Sequence, residues 1–189
     1  MAFIDAVSAL NGFKRRRIIR DYAIIGAVAA TAYMEPIFTE DIDVVILADT
    51  NEEYFEAHGV IAGAPEEQDG MHQIVGGVPV QLFPTTVMPL YRDVVEQAQR
   101  VRIDNVRTKV ATAEHLVLLF LIANRQRDRL RISYLLDDLD EGYLENLLEK
   151  FDDQQKTLTS RLRAIRGLAV PREEEMAPSS EADESGPET

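Results

Sequence analysis

Two short segments decide the fold of this chain: Ile24-Ile25-Gly26-Ala27 and Thr39-Glu40-Asp41-Ile42-Asp43-Val44-Val45-Ile46. Each contains an apolar run that predicts a buried strand, and the first run ends at a glycine turn. Side chains alternate across a strand, so Asp41 and Asp43 are expected on the same face. Two neighbouring carboxylates repel each other unless a cation lies between them. Mg²⁺ (or Mn²⁺) suits that place because it prefers oxygen ligands.

The glycine turn adds a second element of a binding site. Backbone N–H groups at Gly26 and Ala27 can approach a phosphate closely, because such a turn opens the helix that follows. A phosphate turn followed by an acid pair predicts nucleotide chemistry. An Asp-x-Asp alone is more often a solvated strand end or a helix cap, so the prediction depends on the whole arrangement of strand, turn, helix and strand.

This arrangement resembles the signature of the nucleotidyltransferase superfamily, in which a glycine turn precedes an Asp-x-Asp between apolar residues. Here thirteen residues separate Ala27 from Asp41. A second segment, 110–128, is similar to the helical motif of bacterial AbiEii-like nucleotidyltransferases, a group that includes toxin components of toxin–antitoxin systems. The resemblance spans residues 20–138. It implies an α+β fold of the polymerase-beta-like type, with a mixed sheet followed by a helical section.

The resemblance also implies roles for particular residues. Asp41 and Asp43 would be the catalytic pair that holds Mg²⁺ or Mn²⁺. A nucleoside triphosphate would contact four further residues, Gly26, Ala27, Arg125 and Asp128. The expected reaction is transfer of a nucleotidyl group to a hydroxyl on a protein, an RNA or a small molecule, and a toxin of this kind would have an antitoxin partner.

The chain departs from the family pattern at several positions. Ala27 stands where a serine or glycine is usual, and Gln81 stands where active members carry a third carboxylate. A neutral amide supplies neither the charge that balances a second Mg²⁺ nor a base for the acceptor hydroxyl. Asp104 is a candidate substitute. In the helical motif, Phe120 replaces a lysine that can contact a triphosphate, and Arg131 lies near the place of an acid.

These departures leave three functions open. The first is a Mg²⁺-dependent nucleotidyltransferase. The second is a catalytically degenerate member of the fold that binds a nucleotide or a partner protein, which the neutral side chain of Gln81 favours. The third is a helical interaction scaffold acting through residues 111–168, which gives no reason for the acid pair. Nucleotide binding without turnover would separate the second function from the first.

Composition restricts the class of protein. The chain has 189 residues and no cysteine, which excludes disulfides and thiolate metal sites. No apolar run reaches the length of a membrane span, and the N-terminus lacks the features of a signal peptide. We therefore expect a soluble cytoplasmic protein without membrane contact. The net charge of −13 disfavours general nucleic-acid binding, because attraction to phosphate dominates such binding.

The pattern along the chain predicts three parts. Residues 1–110 form an α/β core with an N-terminal helix, 111–168 form a helical section packed on that core, and 169–189 form a disordered acidic tail. Predicted elements are strands at 22–25 and 42–47, a hairpin around Gly76-Gly77 from 71 to 83, one strand at 101–106, and helices at 27–34, 51–56, 87–99, 112–123, 128–137, 140–151 and 154–167.

Overall fold

The structure is a computed structural model that describes residues 2–36, 39–63, 68–69, 72–103 and 105–168. Within these ranges, seven strands form one mixed sheet: β1 (Tyr22–Ile25), β2 (Ile42–Ile46), β3 (Gln68–Asp69), β4 (His72–Val75), β5 (Val78–Pro84), β6 (Gln99–Ile103) and β7 (Val106–Val110). The described α-helices are α1 (Ala2–Arg15), α2 (Gly26–Ala30), α3 (Asn51–Ala62), α4 (Pro89–Gln97), α5 (Ala113–Ala123), α6 (Gln126–Leu135), α7 (Glu141–Phe151) and α8 (Thr157–Leu168). Asp104 and the predicted disordered tail, 169–189, lie outside the described residues.

The centre of the sheet is built from the two segments that carry the sequence motif. The strand order is β3-β4-β5-β2-β1-β7-β6, so β2 lies between β1 and β5. β1 runs antiparallel to β2, whereas β2 is parallel to β5 and β1 is parallel to β7. Ile42, Val44 and Val45 are fully buried. Ile42 and Val44 lie on one face of the strand and Val45 on the other, so both faces of β2 are covered, and α2 and α4 pack against this strand. The predicted mixed sheet is confirmed.

Most predicted elements lie where the sequence placed them. The strand at 22–25 and the hairpin around Gly76-Gly77 are confirmed. Gly76 has a φ of +60°, and a Cβ there would lie 2.5 Å from the backbone nitrogen of Ala6 in α1, so this turn requires glycine. The helix predicted at 27–34 is shorter and ends at Ala30, followed by turns through residue 34.

Two predictions of local structure were wrong. The single strand predicted at 101–106 is a hairpin of β6 and β7, in which Val101 pairs with Thr108. The hairpin lies at the sheet edge, and exposed Arg100 and Arg102 interrupt its apolar pattern. The helix predicted at 51–56 extends to Ala62, and at its N-terminus the Thr50 side chain accepts a hydrogen bond from the Glu53 backbone N–H.

Helix α5 carries the helical section onto the sheet. Thr112 caps its N-terminus, and the helix packs against α2 as well as α6, α7 and α8. His115 is fully buried, with Nδ1 2.9 Å from Thr112 Oγ1 and Nε2 3.0 Å from the Asp93 carboxylate of α4. Lys150 of α7 also pairs with Asp93, and the ring of Tyr143 packs edge-on against His115. His115 is therefore a satisfied core residue that joins α4, α5 and α7.

We expect the stability of the fold to decrease as the pH falls from about 7 to about 5. Burial lowers the pKa of His115 and outweighs the opposing effect of the Asp93 carboxylate. The unfolded chain therefore takes up a proton at a higher pH than the folded chain does, so folding weakens as the pH falls through ~6.5. Urea unfolding at successive pH values should show a smaller decrease for His115→Gln, with His58→Gln as the control for loss of a histidine. If the free energy of unfolding decreases equally steeply with falling pH in the parent and in His115→Gln, this expectation is contradicted.

No helix among the described residues is long and apolar enough to cross a membrane.

Candidate functional site

One cavity of about 260 Å³ brings together the residues that the sequence predicted for a nucleotide site. One set of lining residues comes from β1, β2, β5, the turn into α2, the segment that leads into β2 and the start of α4. The other set comes from α5, α6 and the connection between them. All the predicted site residues line this cavity, namely Gly26, Ala27, Asp41, Asp43, Arg125 and Asp128, and so does Gln81.

Strand pairing places Asp43 at the centre of the sheet wall. Asp43 pairs with Ile25 of β1 on one side and with Gln81 of β5 on the other. Paired residues on neighbouring strands have their side chains on the same face, so the Gln81 amide lies beside the Asp43 carboxylate. Asp41 stands one residue before β2, and its Oδ1 accepts a 2.8 Å hydrogen bond from Thr39 Oγ1.

Gly26 allows the backbone to lie directly against the Asp43 carboxylate. Its φ is +66°, a left-handed conformation that glycine adopts without strain. A Cβ at this position would lie 2.3 Å from Asp43 Oδ2. The glycine is therefore required both by its conformation and by the closeness of the acid, so the two sequence motifs meet here.

The donor set on this wall is rich in oxygen but carries only two negative charges. Two carboxylates and the Gln81 amide are the hard ligands that Mg²⁺ prefers. In the part of the chain that the structure describes, no group of three or more His, Cys, Asp or Glu side chains is arranged to hold a metal ion. The donors thus fit one divalent cation better than two.

Tyr91 is a cavity residue that sequence reasoning missed. It lies on α4, its ring packs against Phe83 with centroids 5.7 Å apart, and it lines the cavity that contains Asp43. Burial raises the pKa of Tyr91, and the nearby negative charge of Asp43 raises it further, so the phenol stays protonated. The amphipathic pattern of 89–97 places Tyr91 on a buried face, but nothing in the sequence relates that face to Asp43.

The helical wall of the cavity is formed by α5, α6 and the connection between them. The spacing of Arg125 and Asp128 would allow an ion pair between them on a helix, but Arg125 is exposed and Asp128 is buried. Asp128 Oδ1 instead accepts a 3.0 Å hydrogen bond from Arg131 Nη1. The Arg131 guanidinium lies over the ring of Phe120, 5.6 Å from its centroid. Arg127 also lines the cavity, on the exposed side of α6.

Comparisons with known proteins identify the fold. The structure is similar to the crystal structure of an antigenic nucleotidyltransferase-like protein from Paracoccidioides brasiliensis, with a TM-score of 0.50 and 19% identity over 87% of this chain and 94% of that chain. The solution structure of the antibiotic-resistance factor ANT(2'')-Ia gives a TM-score of 0.44 and 13% identity over 89% of this chain and 92% of that chain, which adds nothing to the assignment. No family model and no curated protein matches the sequence. The predicted nucleotidyltransferase-like α+β fold is confirmed.

Proposed function

We propose that this chain binds a nucleoside triphosphate together with Mg²⁺ or Mn²⁺ and transfers its nucleotidyl group to a hydroxyl acceptor. One observation carries the proposal: a single cavity contains the glycine turn, the acid pair and cationic side chains from the helical section. The nucleotidyltransferase-like fold of the chain supports the same class of reaction. Fold alone does not determine activity, so the proposal depends on the site.

The residues present fit one divalent cation held by Asp41 and Asp43. When bound there, the ion would offset the charge of the triphosphate and help to align its α-phosphorus with the acceptor. The Gly26 turn lets the backbone approach the phosphates, and Arg125 contributes a positive charge at the cavity. Asp128 contributes to the site by accepting a hydrogen bond from Arg131 Nη1, which holds that guanidinium at the cavity.

The proposed reaction forms a bond between the acceptor oxygen and the α-phosphorus. The bond from the α-phosphorus to the bridging oxygen breaks, and pyrophosphate leaves with the electron pair. The acceptor proton passes to water, because Gln81 cannot accept it. General-base assistance typically contributes about 10²–10⁴-fold in rate, so we expect the parent chain to be slow.

The same proposal extends to the acceptor, the partner protein, the location and the division of the chain into parts. We further propose a protein or RNA acceptor and an antitoxin partner, on the basis of the AbiEii-like resemblance, and a cytoplasmic location, on the basis of the composition of the chain. We also propose that the chain is divided into a core at 1–110 and a helical section at 111–168. This division would place the metal-binding acids on the core and the phosphate-binding cations on the helical section.

Label transfer tests the proposal directly. Each NTP, labelled at the α-phosphate, is incubated with the chain and Mg²⁺ or Mn²⁺, and label is followed on protein and on total RNA, with pyrophosphate release measured in parallel. Transfer that requires the metal supports the enzyme. Metal-dependent binding of an NTP without transfer supports the alternative, a binding module, which the neutral Gln81 beside Asp43 favours. A chain that shows no NTP binding and no transfer would contradict both functions.

We expect Gln81→Asp to increase the transfer rate by about 10²–10⁴-fold. The new carboxylate would lie beside Asp43, where it adds a negative charge and a proton acceptor. Gln81→Asn is the matched control, because it makes the same change in length without the charge. Equal rates for the two variants would show that position 81 lacks the proposed role.

A further inference from the structure

We propose that Arg131 is the residue that binds the phosphate chain of the nucleotide in this cavity. The inference rests on the proposed function, since it names the group that would hold the triphosphate on the helical wall. In the sequence Arg131 is one of four clustered arginines, with Arg125, Arg127 and Arg129, that could steer a triphosphate if they faced the acid pair, and the pattern does not single out any of the four. The position of Arg131 on α6 differs from position 120 on α5, where the AbiEii-like pattern has a lysine and this chain has Phe120.

The burial of Arg131 is the first observation. The residue is only 8% exposed, yet it lines the cavity that contains Asp41 and Asp43. Taking a guanidinium out of water is costly unless its donors are satisfied. The ion pair with Asp128 offsets part of this cost, and an anionic ligand in the cavity would offset more of it.

The hydrogen bonds of Arg131 are incomplete, which is the second observation. Asp128 Oδ1 takes one bond from Nη1, at 3.0 Å. Among the described residues, neither Arg131 Nε nor Asp128 Oδ2 has a hydrogen-bond partner, although both atoms are buried. Arginine presents its donors as a planar fork that matches phosphate oxygens, so a phosphate group would satisfy Nε.

Phe120 supplies the third observation. The Arg131 guanidinium lies over its ring, and both residues line the same cavity. Stacking on an aromatic face fixes the plane of the guanidinium and stabilises its charge. This chain therefore lacks a cation at position 120 of α5, where the AbiEii-like pattern has a lysine, but its Phe120 ring supports the Arg131 guanidinium of α6. The net result is a cation on the same wall, held by Asp128 and Phe120.

Binding of inorganic tripolyphosphate to the full chain tests the assignment without any metal. Calorimetry is performed in EDTA for the parent, for Arg131→Gln and for Arg129→Gln, an exposed arginine of α6 that does not line the cavity. We expect Arg131→Gln to weaken binding about tenfold or more, and Arg129→Gln to bind like the parent. In EDTA, the affinity of Arg131→Gln for ATP and GTP should fall by the same factor, whereas its affinity for adenosine and guanosine should equal that of the parent. Unchanged tripolyphosphate affinity in Arg131→Gln would overturn the proposal.

Asp128→Asn separates phosphate binding from a structural role of the pair. The asparagine keeps an acceptor for Arg131 but removes a negative charge beside the anion site, so tripolyphosphate should bind as tightly as in the parent or more tightly. This variant decides the question even if Arg131→Gln does not fold. A loss of affinity in Asp128→Asn would show that the pair is structural and would overturn the proposal.

Failure of this inference is distinguishable from failure of the proposed function. The Asp41→Asn/Asp43→Asn variant should bind tripolyphosphate in EDTA at least as tightly as the parent, because it removes two negative charges from the cavity and leaves Arg131 in place. If that variant binds Mg-NTP like the parent while Arg131→Gln loses tripolyphosphate, the metal site is wrong and Arg131 is right. If instead the Asp41→Asn/Asp43→Asn variant loses Mg-NTP binding while Arg131→Gln binds tripolyphosphate like the parent, the metal site is supported and the proposal for Arg131 is overturned.

Discussion

We expect the Asp41→Asn/Asp43→Asn variant to lose metal-dependent nucleotide binding, with nucleotidyl transfer reduced at least about 100-fold. Both carboxylates line the cavity, and they are the charged oxygen donors that a divalent cation needs there. Asparagine keeps the shape of each side chain but removes its charge. Calorimetry with Mg-ATP and Mg-GTP, followed by label transfer, measures the two effects. Stability should not fall, because repulsion between the two carboxylates disappears.

The matched control for this variant removes two charges from the same connection. Glu35 and Glu40 are exposed and do not line the cavity. The Glu35→Gln/Glu40→Gln variant should therefore bind Mg-NTP like the parent. Loss of binding in this control would mean that the general negative potential of the loop, rather than a specific metal site, governs affinity. Parent-like affinity in Asp41→Asn/Asp43→Asn would show that the cation is held elsewhere.

We expect Gly26→Ala to abolish metal-dependent nucleotide binding at a moderate cost in stability. The left-handed conformation costs a residue with a Cβ about 1–2 kcal/mol. The new methyl group would also lie 2.3 Å from Asp43 Oδ2, so the carboxylate must rotate away from its place at the cavity. Because the displaced atoms are the end of a side chain, the larger consequence is for the metal site rather than for the fold.

Gly77→Ala isolates the conformational cost. Gly77 has a φ of +79°, but a Cβ there would meet no atom within 4 Å. Both alanine variants should therefore lose about 1–2 kcal/mol in urea unfolding, and only Gly26→Ala should lose Mg-NTP binding. If the two variants bind equally well, contact between Gly26 and Asp43 is not needed for the site.

Local patterns were sufficient for the elements at the centre of the fold. The apolar runs around Gly26 and Asp43 predicted β1 and β2, and the glycine pair at 76–77 predicted the hairpin of β4 and β5. Burial, alternation and turn conformation leave a direct trace in neighbouring residues, so a short window contains the information. The β6–β7 hairpin was missed because an edge strand exposes much of its surface, and its polar residues weaken the apolar pattern.

The acid pair and the glycine turn were also recognisable from the sequence, since each is a local motif. Their contact was not, because Gly26 and Asp43 meet only through the antiparallel pairing of β1 with β2. Likewise, Gln81 comes to lie beside Asp43 through the parallel pairing of β2 with β5. Strand pairing depends on the whole chain, and no window around one strand specifies its neighbours.

The helical wall depended most on the tertiary structure. From the sequence, Arg125 and Asp128 were the residues of this wall that were expected to contact the triphosphate. Instead, α6 packs against α5 so that Arg131 is buried over Phe120 and bonded to Asp128. By itself the sequence determined the sheet centre and the presence of an acid pair. Only the packing of two helices decided which arginine is buried at the cavity, because burial depends on what covers a residue rather than on its neighbours in the chain.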